Sequence, residues 1–97
     1  MKHTLSITDH ARVRMSQRGI GADQLQLAIR YGKKIYRQGM VFHVMRDKDI
    51  PDMLPPGKRS RLKRLVVITS GDDGAVITVY RSAGALKNIR CKPKTLL

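Results

Sequence analysis

Leu65-Val66-Val67-Ile68-Thr69-Ser70-Gly71-Asp72-Asp73-Gly74-Ala75-Val76-Ile77-Thr78-Val79-Tyr80 is the stretch whose reading decides the fold. Its β-branched residues predict a strand over Leu62–Ser70, containing the apolar run Leu65–Ile68, and a second over Ala75–Ser82. Gly71-Asp72-Asp73-Gly74 between them is a hairpin turn, so the two strands are antiparallel. Upstream, Ile35-Tyr36-Arg37 and Met40–Arg46 flank Gln38-Gly39 and read as another hairpin. Asp47–Ser60 holds three of the four prolines and reads as a long loop.

Before these strands the period changes from two to about 3.6. Thr8 or Asp9 is an N-cap, and a helix to about Arg18 stops at Gly19. A second helix is expected over Ala22–Tyr31, with Asp23 at its positive end and Leu25, Ala28 and Ile29 as its buried stripe. Gly32 follows as the C′ residue, Lys33 and Lys34 suit the negative end, and Ile20 plugs the corner between the helices. The architecture is therefore α+β: two N-terminal helices packed on an antiparallel three- to four-stranded sheet. One domain covers 1–97, with an ordered core over about 5–82. Residues 83–97 read as a basic tail or an extra edge element.

Charge restricts the function. The chain carries 20 Lys+Arg against 7 Asp+Glu, a net +13, and every acid is Asp. Ten basic and four acidic residues lie in the first fifty, ten and three in the rest, so the charge belongs to the whole body. Such a surface favours polyanions, nucleic acid first and an acidic protein second. The scattered Asp residues do not suit two-carboxylate chemistry. One cysteine, Cys91, allows neither an internal disulfide nor a multi-cysteine zinc site, and it reads as an incidental thiol. His3, His10 and His43 lack metal-ligand spacing, so no metal and no cofactor is expected. Asp47, Asp49 and Asp52, flanked by lysine and arginine, read as loop solubility. Met1–Leu5 has no apolar leader and no segment is of membrane-spanning length, so a cytoplasmic protein without membrane contact is expected.

The run Thr8-Asp9-His10-Ala11, then Arg14-Met15 and Arg18-Gly19-Ile20, resembles the bacterial family known as domain of unknown function 4258. Leu65–Ile68, a turn and Val76–Tyr80 resemble its strand pair, and the likeness covers roughly residues 6–82. The chain departs from the pattern at Gly21-Ala22-Asp23, where the family carries Ser and acidic residues, and in a longer Pro-rich loop. The family's layout is similar to the barnase–EndoU–colicin–RelE group of small ribonuclease folds, which includes bacterial toxins. That resemblance implies a metal-independent endoribonuclease of toxin type, covered by an acidic antitoxin or immunity protein.

The residues suited to that chemistry are few. In a helix, His10, Arg14 and Arg18 stack along one face, an imidazole in line with two guanidiniums. His10 then serves as general acid/base and Arg14 and Arg18 as a phosphate clamp. The plainer reading makes His10 a structural histidine and the arginines a solvated face. Thr78 and Tyr80 share a strand face with Ser82, and support His10 if that face meets the first helix; Arg81 points to the other face. Otherwise Tyr80 covers the sheet. His43, mid-strand on the Val41–Met45 face, reads as a semi-buried histidine. Lys58, Arg59, Arg61, Lys63 and Arg64 form the densest positive run. Entering a strand, they splay to both sides, either as contacts to RNA phosphates or as an edge that resists aggregation. With Arg81 they are the candidate nucleic-acid-binding residues. The alternative to an enzyme is a non-catalytic nucleic-acid-binding or protein-interaction domain.

Overall fold

The computed structural model describes residues 6–90, in the order α1 (Asp9–Arg18), α2 (Ala22–Tyr31), β1 (Lys33–Arg37), β2 (Met40–Val44), α3 (Pro56–Leu62), β3 (Leu65–Ser70), β4 (Val76–Arg81) and α4 (Ala85–Arg90). The strands form one antiparallel sheet in sequence order. The α+β class and the two helices ahead of the sheet agree with the sequence. His3, Cys91 and the last residues of the expected tail lie outside the described residues.

Local chemistry explains the element ends. The Thr8 hydroxyl accepts the Ala11 N–H at 3.1 Å, and Gly19 closes α1 at φ 64°, a left-handed position that suits glycine. Gln38 and Gly39, with φ 55° and 73°, make the two-residue turn between β1 and β2. Positive φ at both central residues matches the twist of paired strands. Lys34 donates to the Ile29 carbonyl at 3.0 Å, holding the last turn of α2 as its position suggested.

Gly32 acts differently from expectation. Its φ is −66°, so no left-handed cap is formed. A Cβ there would stand 2.5 Å from the Ala28 carbonyl oxygen and 3.3 Å from both Val44 backbone atoms. Glycine is needed because backbone meets backbone where α2 turns into the sheet. Gly32→Ala is expected to destabilise the fold by about 1–3 kcal/mol in urea unfolding. Gly57, on α3, has nothing within 4 Å of such a Cβ. Gly57→Ala should instead stabilise by roughly 0.5–1 kcal/mol, through helix propensity and a less flexible unfolded chain.

Three expectations are corrected. Asp47–Ser60 is not one loop: Asp47–Asp49 forms a 3-10 turn, and α3 begins at Pro56. Proline at the first helical position lacks only an N–H that has no helical partner there. The third strand begins at Leu65 rather than Leu62, because Leu62 is buried on α3 and Arg64, at φ 64°, breaks the chain direction between them. After β4 the chain forms α4, which buries Ala85 and Ile89, one helical turn apart.

Both sheet faces are covered, and this positions the candidate residues. On one face Leu65, Val67, Val76 and Val79 cluster with Ala11, Leu25, Ala28 and Leu62 from the first three helices. On the other, Ile35, Phe42, Val66 and Ile68 cluster with Ala85 and Ile89 of α4. Strand β4 carries one extra residue, since Thr69 faces Val76 but Ile68 faces Thr78. The carbonyl of the bulged Ile77 accepts the Thr8 hydroxyl at 3.2 Å. The Thr8 N–H bonds the Val76 carbonyl, and the Val76 N–H bonds that of Ser6, so residues 6–8 lie along the outer edge of β4.

Candidate nucleic-acid interface

The position of α1 follows from its two anchors. Thr8 ties its start to Val76 and Ile77 at the beginning of β4. At its end, the Arg81 guanidinium donates to the Arg18 carbonyl at 2.9 Å. Helix and strand therefore run side by side in the same direction. His10 stands exposed on the first turn and Arg18 exposed on the last, roughly 12 Å apart along the axis. Half-buried Arg14 lies between them and donates to Gln17 at 3.1 Å. The His10–Arg14–Arg18 ridge of the sequence is real, but its imidazole and its last guanidinium sit at opposite ends of the sheet.

Arg81 is the organising residue of one of those ends. Its second terminal nitrogen donates to the Arg61 carbonyl at 3.2 Å. One guanidinium thus closes two helix C-termini, those of α1 and α3, where unpaired carbonyls carry partial negative charge. The planar fork can serve two acceptors at once; an ammonium lacks that geometry. Arg81 is thereby a brace, and the exposed side chains it gathers are Arg18 and Arg61. Lys63 and Arg64 follow directly, both exposed, and the Arg64 carbonyl accepts the N–H of Ser82.

The basic run of residues 58–64 does not splay along a strand as expected. Lys58, Arg59 and Arg61 are on α3, and Lys63 and Arg64 form the bend into β3. Arg59 is not a free cation: it donates to the Pro51 carbonyl at 2.6 Å and lies 3.5 Å from Asp52. Lys58 and Arg61 border a groove of about 380 Å³ between α2 and α3, floored by Leu27 and Leu62. Arg64 and Ser82 line a cleft of about 260 Å³ at the same end of the sheet, beside Leu86 of α4. Arg46 lines it too, a residue the sequence reading left aside. Asp49 neutralises it through contacts of 2.7 and 2.8 Å, which also hold the Asp49 carboxyl below the usual carboxylate range. The Arg46-x-x-Asp49 spacing was the available signal.

Thr78 and Tyr80 are not brought to α1. They alternate with Val79, which packs toward Ala11, and lie on the α4 face; Tyr80 is half-buried against that cluster. Burial pushes its phenol up, favouring the neutral form. His43 is buried, with Nε2 3.0 Å from the Thr69 hydroxyl. Among the described residues, the only ion pairs are Arg46–Asp49 and Arg59–Asp52, so Arg18, Arg61, Lys63 and Arg64 have no carboxylate partner. No described group of three His, Cys or Asp residues is placed to hold a metal, and no described helix is long and apolar enough to cross a membrane. What the arrangement offers chemically is a set of uncompensated cations at one end of a rigid sheet.

The family model described as a domain of unknown function (DUF4258) matches residues 7–81, a span from the strand-like segment ahead of α1 to the end of β4. No curated protein and no solved structure matches the chain.

Proposed function

The chain belongs to the DUF4258 family, and for this member we propose an RNA-directed protein that holds phosphates at the Arg81 end of its sheet. The observation that carries this reading is the pair of hydrogen bonds that Arg81 donates to the Arg18 and Arg61 carbonyls. It fixes two helix ends side by side and presents Arg18, Arg61, Lys63 and Arg64 together, none with an acidic partner among the described residues. Fixed, unneutralised cations are what backbone recognition requires, and they carry no base-reading pattern. The backbone of Arg64 adds support. A non-glycine residue at φ 64° is strained, so an arginine there keeps its charge at a cost glycine would avoid.

A metal-independent ribonuclease of toxin type is the second reading, favoured by one observation. His10 is exposed on a ridge that continues through Arg14 to Arg18, so RNA laid along α1 passes the imidazole. Thr78 and Tyr80 have no part in that version, which leaves His10 as acid/base with Arg14 as its neighbouring cation.

One experiment separates these readings. Labelled single-stranded RNA is incubated in EDTA with the wild type, with His10→Ala and with the Arg18→Ala/Arg61→Ala double variant. Binding is followed by gel shift and integrity by denaturing gel. Retarded but intact RNA, with affinity at least tenfold weaker in the double variant, is the expected result. Discrete cuts that vanish in His10→Ala establish the ribonuclease. No retardation at low salt, or equal retardation by the double variant, overturns the phosphate-binding end.

A further inference from the structure

We infer that the outer edge of β1 is a docking site for an acidic polypeptide segment, which joins the sheet as a further strand. The two sheet edges are unlike. Residues 6–8 bond the outer side of β4 at Val76, whereas β1 has β2 alone as a partner among the described residues. The hydrogen-bond alternation shows which groups face outward. Bonds from Met45 N–H to the Leu65 carbonyl and from Gly71 N–H to the Gly39 carbonyl assign the odd-numbered residues of β2 to β3. Its even-numbered residues therefore bond β1, through the pairs Val44–Lys33, Phe42–Ile35 and Met40–Arg37. The backbones of Lys34 and Tyr36 consequently point away from the sheet. Their two N–H donors form the start of an unfilled ladder, and the Tyr36 side chain beside them is 65% exposed.

Charge selects the occupant. Lys33 precedes the free ladder, Lys34 is its first member and Arg37 follows it, with no acidic partner among the described residues. Arg37 donates to the outward Tyr36 carbonyl at 2.8 Å, and its buried Nε has no hydrogen-bond partner. The side chain thus occupies one of the two outward carbonyls that an incoming strand needs, and can leave it for a carboxylate. A second copy of this chain would bring a second row of cations to the edge, Lys33 opposite Arg37 when both outward residues pair, which is unfavourable. An extended segment with alternating acidic residues satisfies both the ladder and the cations. Nucleic acid has no matching row of alternating backbone donors and acceptors. This surface is separate from the Arg81 end, so failure of either assignment leaves the other standing.

The test uses a capped peptide of alternating Glu and Val, with a peptide of alternating Glu and Pro as its equal-charge control. Hydrogen exchange by NMR is expected to show the Lys34 and Tyr36 amides slowed at least tenfold when the first peptide binds. Ile35, already bonded within the sheet, should be unchanged. Tyr36→Pro removes an outward donor without altering charge, and should weaken binding at least tenfold relative to Tyr36→Thr. Because the proline variant can fail on folding, the exchange measurement on wild-type protein stands independently. Equal affinity for both peptides, no binding, or a bound peptide without protection at Lys34 and Tyr36 overturns the inference.

Discussion

Acidification from pH 7 to pH 4 is expected to lower the unfolding free energy by about 3 kcal/mol through one residue, His43. Its side chain is 4% exposed and lies in the middle of β2. Burial, and secondarily the positive charge of Lys34, push its pKa down to about 4 from the ordinary 6.5. The neutral ring bonds the Thr69 hydroxyl through Nε2, while its buried Nδ1 has no partner. The unfolded chain takes up this proton as pH falls below 6.5, but the folded chain does so only near 4. Between those values unfolding is coupled to uptake of one proton, so stability is full above 6.5 and falls with acidification across the window. Urea unfolding at half-unit pH steps should show this slope, and His43→Gln should flatten it. A wild-type stability that stays level from pH 6.5 to pH 4 would contradict the buried neutral imidazole.

RNA affinity is expected to fall roughly 50-fold between 50 and 200 mM salt, if the contacts are Arg18, Arg61, Lys63 and Arg64. Four phosphates neutralised on a single strand release about three counterions, which gives a slope near −3 on logarithmic axes. Arg64→Gly tests this with two readouts of opposite sign. Glycine relieves the left-handed backbone at φ 64° and should raise stability by about 1 kcal/mol. The same change removes one cation, so the salt slope should shrink by about 0.7. A variant that is more stable yet binds RNA with an unchanged slope would remove Arg64 from the interface. Arg81→Met should weaken binding too, and additionally cost about 1 kcal/mol of stability, since Arg18 and Arg61 then lose their common brace. Arg81→Lys should restore the charge but not both carbonyl bonds.

Much of the scaffold was legible in the chain because its signals are local. Thr8 and Gly19 bound α1 through a hydroxyl cap and a left-handed turn, both matters of a few neighbouring atoms. The Gln38-Gly39 turn similarly acts over two to four residues. The helix α3 was hidden because its prolines read as loop punctuation, although proline at a first helical position is compatible with the helix that follows. The helix α4 was hidden because six residues with two buried positions hardly declare a period.

The chain by itself thus determined the first two helices and the strands, the α+β class, the excess of positive charge and the ridge of His10, Arg14 and Arg18. Tertiary structure decided which face each element meets. Leu65 to Thr69 are buried on both sides of β3, so the central strand carries no alternation to say where α1 belongs. Only the contacts of Ala11 and Met15 with the Val76–Val79 side place Thr78 and Tyr80 away from His10 and put Arg81 beside Arg18 and Arg61. Residues 63 positions apart in sequence met there because two helix ends needed one donor, and no local pattern encodes a meeting at that distance.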